Sequence, residues 1–336
     1  MSVTILWPGA GRRPNHDIEI EAVGEGVETV FGAGVQEITD EQWASCDGVV
    51  GGPDLPVEII DKMTKCRIFV RPAVGFDNVD LKKWGERGIP VCNTPDYGTM
   101  EVADHAIALM LTLTKGIAFH NEHLRAEPVG NWRPALNPFG QRMSVLTFGV
   151  LGLGRIGTAA ALRAKAFGMD VVFYDPYLPN GAELALNVRR AQSVEELVGQ
   201  SDVLSIHAPL TDETRSIIDA DVLAAAKRGI IIINTARGPI IDIDALHDAL
   251  ESDQVLAAGL DVLPEEPASL ERRLIKAWHA GEEWIRDRLV LTPHSAFFTP
   301  QSIRDIRAFS ARTAARYLRD GRLENCVNEE YLAFRR

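Results

Sequence analysis

Three ionisable residues in the second half of the chain, Arg237, Glu266 and His294, are of the types needed to anchor an anion and move a proton. Arg237 stands in Asn-Thr-Ala-Arg-Gly, Glu266 in Asp-Val-Leu-Pro-Glu-Glu-Pro and His294 in Leu-Thr-Pro-His. A guanidinium offers a planar fork of donors that matches a carboxylate. An imidazole titrates near physiological pH and is the commonest proton carrier. A carboxylate bonded to the other ring nitrogen fixes the tautomer and favours the protonated ring. Each of the three comes just after a run that reads as a buried strand, at 230–234, 255–260 and 289–291. Side chains at the carboxyl ends of strands in an open parallel sheet converge on one crevice, where ligands bind. All three follow a glycine fingerprint, so a dinucleotide in that crevice would supply a hydride to go with the proton.

The fingerprint is Gly152-Leu-Gly154-Arg155-Ile156-Gly157. Alone it would be weak, and Gly24-Glu-Gly26 and Gly32-Ala-Gly34, which open no strand–turn–helix unit, read as turns. Here an apolar strand precedes it, a helical pattern follows, and Asp175 ends the next strand 18 residues after the last glycine. Gly152 allows the tight turn, Gly154 lets a pyrophosphate approach the backbone, and Gly157 lets helix and sheet pack closely. The helix start presents free N–H groups and a positive dipole end to phosphate. The Asp175 carboxylate accepts from both ribose hydroxyls of NAD and repels the 2′-phosphate of NADP. The expected cofactor is therefore NAD, working as NADH.

Two α/β patterns position these residues. From Val3 to about Val91, β-like runs at 3–7, 27–31, 48–51, 67–70 and 90–92 alternate with helix-like segments, which argues for a parallel sheet. A long helical stretch follows from Glu101 to about Arg125, with Val102, Ala106, Leu109 and Leu113 at helical spacing. Segment 131–139, rich in Pro and Asn, reads as loop. The second pattern has strands at 145–151, 171–174, 203–207, 230–234, 255–260 and 289–291, with a helix at 155–167. A final helix, from Pro300 to about Arg319, can cross back onto the first pattern. The expected fold is α/β, two Rossmann-like or flavodoxin-like parallel-sheet domains with an interdomain cleft. Residues 1–115 plus 298–336 would be the substrate-binding domain and 116–297 the NAD-binding domain.

At 336 residues the chain is long for one core and comfortable for two. A net charge of −12, with no basic stripe to offset it, argues against nucleic acid as a partner. No apolar run approaches the roughly 20 residues of a membrane span, and the amino terminus is broken too early for a signal peptide. Cys46, Cys66, Cys92 and Cys326 have no zinc spacing and read as free thiols in a reducing cytoplasm. No metal is expected: His120 and His123 share a helix but lack supporting ligands. His105, beside Asp104, is assigned at most a structural hydrogen bond, and Arg12-Arg13 reads as a solvated turn.

At this point a likeness is plain. The chain resembles the D-isomer-specific 2-hydroxyacid dehydrogenase family, and within it most closely the C-terminal binding protein branch. The matching stretches are Arg71-Pro-Ala-Val-Gly-Phe-Asp-Asn-Val-Asp80, 152–157, Leu162-Arg-Ala-Lys-Ala-Phe-Gly168, Phe173-Tyr-Asp-Pro-Tyr177, 234–238, 261–267 and Thr292-Pro-His-Ser295. They cover most of the chain from about residue 65 onward.

The resemblance implies that Arg237 anchors substrate, that His294 donates the proton and that Glu266, rather than Glu265, pairs with it. It implies cofactor contacts at His207, Ala208, Pro209, Thr214, Thr235, Ala236 and Asp261, the last against the nicotinamide carboxamide. It implies substrate contacts at Val74 and Gly75, at Arg71 beside them, and at Phe297 as an aromatic pocket wall. The implied activity is NAD-dependent interconversion of small 2-oxoacids and D-2-hydroxyacids in a homodimer. Glu266 stands where formate dehydrogenases carry glutamine, which argues against formate. Phe297 replaces the branch's tryptophan and leans toward a larger apolar substrate side chain. A segment at 267–292, longer than usual, reads as a surface helix. Two other readings stay open: a dedicated glyoxylate or hydroxypyruvate reductase, and an NAD(H)-sensing dimeric binding module.

Overall fold

The computed structural model describes residues 3–52, 55–132 and 140–332. It divides into two compact units, Met1–Gly98 with Phe298–Arg336, and Thr99–Phe297.

The first unit is built on β1 (Val3–Pro8), β2 (Val27–Gly32), β3 (Gly48–Val50), β4 (Ile68–Val70) and β5 (Val91–Cys92). They run parallel in the order β2-β1-β3-β4-β5, which is the flavodoxin-like order. The central strands are buried on both faces, as parallel sheets demand, and so read as continuous apolar runs. Phe69 stacks on buried Trp84 with ring centroids 4.4 Å apart. The helix Pro300–Asp320 belongs to this unit although it comes last in the chain. Thr299 and Ser302 form a capping box at its start, Pro300 sits in its first turn, and Gly321 ends it in the left-handed region. It lays Ala311, Ala314, Ala315 and Leu318 on Ile5, Trp7 and Ile68 of the sheet. An ionic clamp adds to this apolar face. Arg307 donates to both oxygens of Glu19, at 2.7 and 2.6 Å, and Glu19 is fully buried. Arg13 reaches the same carboxylate, so the Arg12-Arg13 turn is engaged rather than merely solvated.

The second unit is built on β6 (Thr147–Leu151), β7 (Asp170–Tyr174), β8 (Arg189–Arg190), β9 (Val203–Ile206), β10 (Ile230–Asn234), β11 (Val255–Leu260) and β12 (Leu289–Leu291). The strands run parallel in the order β12-β11-β10-β9-β6-β7-β8. That is the dinucleotide-binding order with one further edge strand, and the order reverses between β6 and β9. Strand β10 is buried throughout. Each of its isoleucines gains about 1.5–3 kcal/mol by leaving water.

Several expectations shift. The single helix expected over 101–125 is two, Thr99–Thr114 and Ile117–Ala126, bent by 54°. Gly116 makes the break with φ 60, a conformation glycine adopts without steric cost. The first of these helices packs Leu109 onto Gly259 of β11, where a Cβ would stand 3.0 Å from the leucine. The first domain boundary therefore falls at 98/99 rather than 115/116. Val145, expected to open the strand, instead closes a 3-10 turn, Met143–Val145, and β6 begins at Thr147. Edge strand β8 was not anticipated, because two arginines carry no apolar alternation. Of the expected loop at 131–139, residues 133–139 lie outside the described residues. The 267–292 segment holds a helix, Arg273–Ala280, that buries Leu274, Ile275 and Ala277 and leaves Trp278 exposed. Among the described residues no single helix is long and apolar enough to cross a membrane.

Candidate active site

Every candidate site residue of the second unit sits at or beyond the carboxyl end of a strand. After β6, Gly152 turns with φ 88, and a Cβ there would meet the Ala208 backbone at 2.8 Å. A Cβ on Gly157 would strike the Gly152 carbonyl oxygen at 2.1 Å, so both positions require glycine. Gly154 faces open space and caps the helix Arg155–Ala166 without a side chain, leaving the first-turn N–H groups for a ligand. Arg155 is exposed at that helix start, and Ile156 packs inward on the core. At the end of β7, Asp175 accepts from Leu153 N and Tyr177 N, each at 3.0 Å. One carboxylate thus ties the glycine turn to the strand beside it. Arg190 on β8, unforeseen from sequence, donates to the Asp175 carbonyl at 3.2 Å and stacks over Phe173 at 4.7 Å.

After β9 comes His207, whose Nε2 lies 2.8 Å from Ser205 Oγ. Its Nδ1 is closed to solvent and has no hydrogen-bond partner. Burial pulls the ring down to about 4, so it is neutral at physiological pH. Thr214 donates to the Pro209 carbonyl at 2.6 Å and closes the turn beyond Ala208. After β10, the Thr235 hydroxyl is likewise buried without a partner. Buried polar atoms are ordinarily paired. Two orphans, after the neighbouring strands β9 and β10 on one side of the open glycine turn, therefore fit a group that brings polar atoms of its own, as a dinucleotide does.

The Arg237 turn is set by Asn234, which is fully buried. Its side-chain N–H donates to the Arg237 carbonyl, and its side-chain oxygen accepts from Ala236 N, both at 2.9 Å. A Cβ on Gly238 would stand 2.0 Å from the Leu263 carbonyl carbon and 2.4 Å from Pro264 N. Only glycine lets the loop after β11 lie against the Arg237 turn, and that loop carries Glu266. Sequence reading missed this requirement, although Gly238 stood next to a chosen residue. Glu266 then accepts twice, from Leu263 N at 3.1 Å and from His294 Nδ1 at 2.7 Å. His294 has φ 51, a region that non-glycine residues enter only when their surroundings hold them there. Phe297 meets the imidazole edge-on with centroids 6.2 Å apart.

Asp261, 2% exposed, takes Thr292 Oγ1 at 2.5 Å, Ser295 N at 2.9 Å and Ala296 N at 3.0 Å. Its carboxylate, expected at the nicotinamide, is thus also the clamp behind the His294 turn. In the first unit, the loop after β4 is held by Asn93 donating to the Val74 carbonyl at 2.7 Å and Thr94 donating to the Arg71 carbonyl at 2.9 Å. Val74 is exposed there, Gly75 follows it, and the Arg71 guanidinium lies over Gly52. His120 and His123 rest against Phe119, with centroids 5.2 and 4.0 Å away.

Residues 107–296 match the model of the "D-isomer specific 2-hydroxyacid dehydrogenase, NAD binding domain". The chain belongs to that family. It is 33% identical over 305 residues to the glyoxylate reductase of Korarchaeum cryptofilum, covering 89% of this chain and 88% of that protein. It is 34% identical over 312 residues to the D-3-phosphoglycerate dehydrogenase of Methanocaldococcus jannaschii, covering 92% of this chain and 56% of that protein's length. Among solved structures it is similar to the NADPH-dependent glyoxylate/hydroxypyruvate reductase of Sinorhizobium meliloti in complex with NADP and malonate. There the TM-score is 0.82 and the identity 29%, covering 100% of this chain and 99% of that one. The nucleotide half of the family fold is therefore the second unit, and members of the family are oxidoreductases of the CH–OH group of 2-hydroxyacids. The likeness holds for the family as a whole; the C-terminal binding protein branch is not what these relatives represent.

Proposed function

We propose that the protein is an NADH-dependent reductase of small 2-oxoacids, working reversibly on D-2-hydroxyacids. The observation that carries this reading is the His294–Glu266 bond of 2.7 Å, beside the Arg237 turn in a family NAD-binding domain. Glu266 accepts from Nδ1, which leaves Nε2 of His294 to deliver a proton to the substrate's 2-oxygen. Arg237 holds the substrate carboxylate in a two-pronged grip. Arg71, Val74 and Gly75 of the first unit are proposed as further carboxylate contacts, and that unit as the substrate-binding one. Gly152–Gly157, Asp175, His207 and Thr235 would hold NADH, which would supply the hydride. Asp175 favours NADH over NADPH, because an acceptor-only carboxylate repels a 2′-phosphate.

A dedicated glyoxylate or hydroxypyruvate reductase is the second reading, favoured by the names of the K. cryptofilum and S. meliloti relatives. Phe297, edge-on to His294, leans instead toward a larger apolar substrate side chain. A homodimer is part of the proposal. Ile117, Val129, Trp132, Val145, Leu162 and Phe167 of the second unit are all exposed, apolar side chains that a contact between two copies would cover. A cytoplasmic setting accords with four free thiols.

The test is loss of reduced-nicotinamide absorbance against a panel running from glyoxylate through hydroxypyruvate and pyruvate to phenylpyruvate and 4-methylthio-2-oxobutyrate. Turnover of one member, abolished in His294→Asn with NADH binding retained, supports the reductase and sizes its pocket. Silence across the panel, with NADH binding that strengthens a dimer, overturns it in favour of the NAD(H)-sensing module.

A further inference from the structure

We infer that His105 is a positioning residue for the proton donor, acting through Thr292 and Asp261; this rests on the role given to His294 above. His105 projects from the helix Thr99–Thr114, an element that supplies none of the proposed substrate or cofactor contacts. Its Nε2 lies 3.0 Å from Thr292 Oγ1, and that hydroxyl lies 2.5 Å from Asp261 Oδ1. A hydroxyl has one proton, and an ionised carboxylate only accepts. Thr292 therefore donates to Asp261, and His105 must donate its Nε2–H to Thr292. The direction of the chain sets the tautomer of His105. The ring also faces the carboxylate directly, with Nε2 3.6 Å from Oδ1.

What Asp261 holds is the turn that aims His294. Its two oxygens take the amides of Ser295 and Ala296, the residues directly after the histidine. Its own carbonyl takes the His294 amide at 2.8 Å. These bonds fix a backbone conformation at φ 51 that His294 would not otherwise keep. Hydrogen bonds in such a network support one another, so removing the outermost donor loosens what lies inside it. The neighbouring Asp104 takes no part, being paired with Arg163 at 2.5 Å.

The experiment uses full-length His105→Leu, His105→Gln and Thr292→Val, alone and with His105→Leu combined with Thr292→Val. Each is read by steady-state oxoacid reduction, NADH affinity, Tm, and hydrogen exchange of the Ser295 and Ala296 amides. His105→Leu is expected to lower kcat by roughly tenfold to a hundredfold, the cost of a displaced catalytic group. Its NADH affinity should stay within about twofold, and the two amides should exchange about tenfold faster. His105→Gln keeps an N–H donor and should restore most of both. The double variant should lose no more than the worse single one, because both break the same chain of bonds.

Wild-type kcat and exchange in His105→Leu would overturn the inference, as would losses that multiply in the double variant. So would a glutamine variant that rescues Tm but neither kcat nor exchange. If the wild-type protein reduces no 2-oxoacid, the proposed function fails, and amide exchange still decides whether His105 holds the turn.

Discussion

Replacing Glu266 by Gln removes a charge and almost no volume, and so isolates what the carboxylate does for His294. The two groups meet at 2.7 Å, with side chains 41% and 40% exposed. Unit charges about 4 Å apart attract by about 1 kcal/mol in water and about 4 kcal/mol at an effective dielectric near 20. At this exposure solvent screens the pair heavily, which selects the lower part of that range, about 1–2 kcal/mol. The whole of it is lost from the state in which the ring holds the proton it will donate. A loss of that size corresponds to about five- to thirtyfold in kcat.

Glutamine adds an orientational effect in the same direction. Its oxygen keeps the Leu263 amide, now at 3.1 Å from Oε1, which turns its NH2 toward His294 Nδ1. A neutral ring can face that group only as acceptor, so the remaining proton sits on Nε2 without the carboxylate's help. The assay is NADH oxidation with the best substrate of the panel, beside a fluorescence titration of NADH and a Tm. NADH affinity and Tm should be unchanged. A kcat within about twofold of wild type would refute the pairing as the source of the donor's competence. Glu266→Ala should be worse than Glu266→Gln, because it also strips the Leu263 amide of its acceptor.

Four further outcomes follow from the same geometry. Gly238→Ala pushes a Cβ into the Leu263 carbonyl carbon 2.0 Å away, so kcat should collapse more than Tm falls, and unchanged kinetics would show that the loop carrying Glu266 is freer than its packing implies. Asp175→Asn halves the acceptor capacity at the end of β7 and removes its charge, so the ratio of kcat/KM for NADH over NADPH should drop by about tenfold, and an unchanged ratio would remove Asp175 from cofactor choice. Arg307→Met leaves the fully buried Glu19 carboxylate short of its main partner and should cost about 3–5 kcal/mol in urea unfolding; burial is the largest influence and pushes that carboxyl up, but the Arg307 hydrogen bonds, a backbone hydrogen bond and the charges of Arg307 and Arg13 together hold it below its usual value, so the stabilisation is present above the ordinary carboxylate range and fades as pH falls through the lowered value. His207 titrates at about 4 in the folded protein against 6.5 for the free ring, so the unfolded chain binds more protons between those values: stability should be full above pH 6.5 and fall by up to about 3 kcal/mol on acidification to pH 4, and a His207→Asn variant that keeps the whole slope would assign it to other groups.

What could be read from the amino-acid order, and what could not, divides along the range of the interactions. Both parallel sheets were legible, because strands buried on two faces appear as apolar runs whatever lies beside them, and β10 through β12 fall where those runs were drawn. The fingerprint was legible because its glycines answer to crowding within one turn, as the contact of Gly157 with Gly152 shows. Arg237, Glu266 and His294 stand out in the sequence because each follows a strand end, but only the fold reveals why Glu266 can reach His294. The Leu263–Pro264 backbone must first lie across Gly238, a contact over about 25 positions that no local pattern encodes. The His105–Thr292–Asp261 chain spans still more, and from sequence its histidine had only Asp104 for company. Arg189–Arg190 and the break at Gly116 were missed for the opposite reason: a polar edge strand and one left-handed glycine leave the surrounding periodicity nearly intact. The residues proposed to carry out the chemistry are therefore more visible in the sequence than the residues proposed to aim them. An active-site list drawn from motifs alone should be expected to omit groups such as His105 and Gly238, whose value lies wholly in what the fold brings against them.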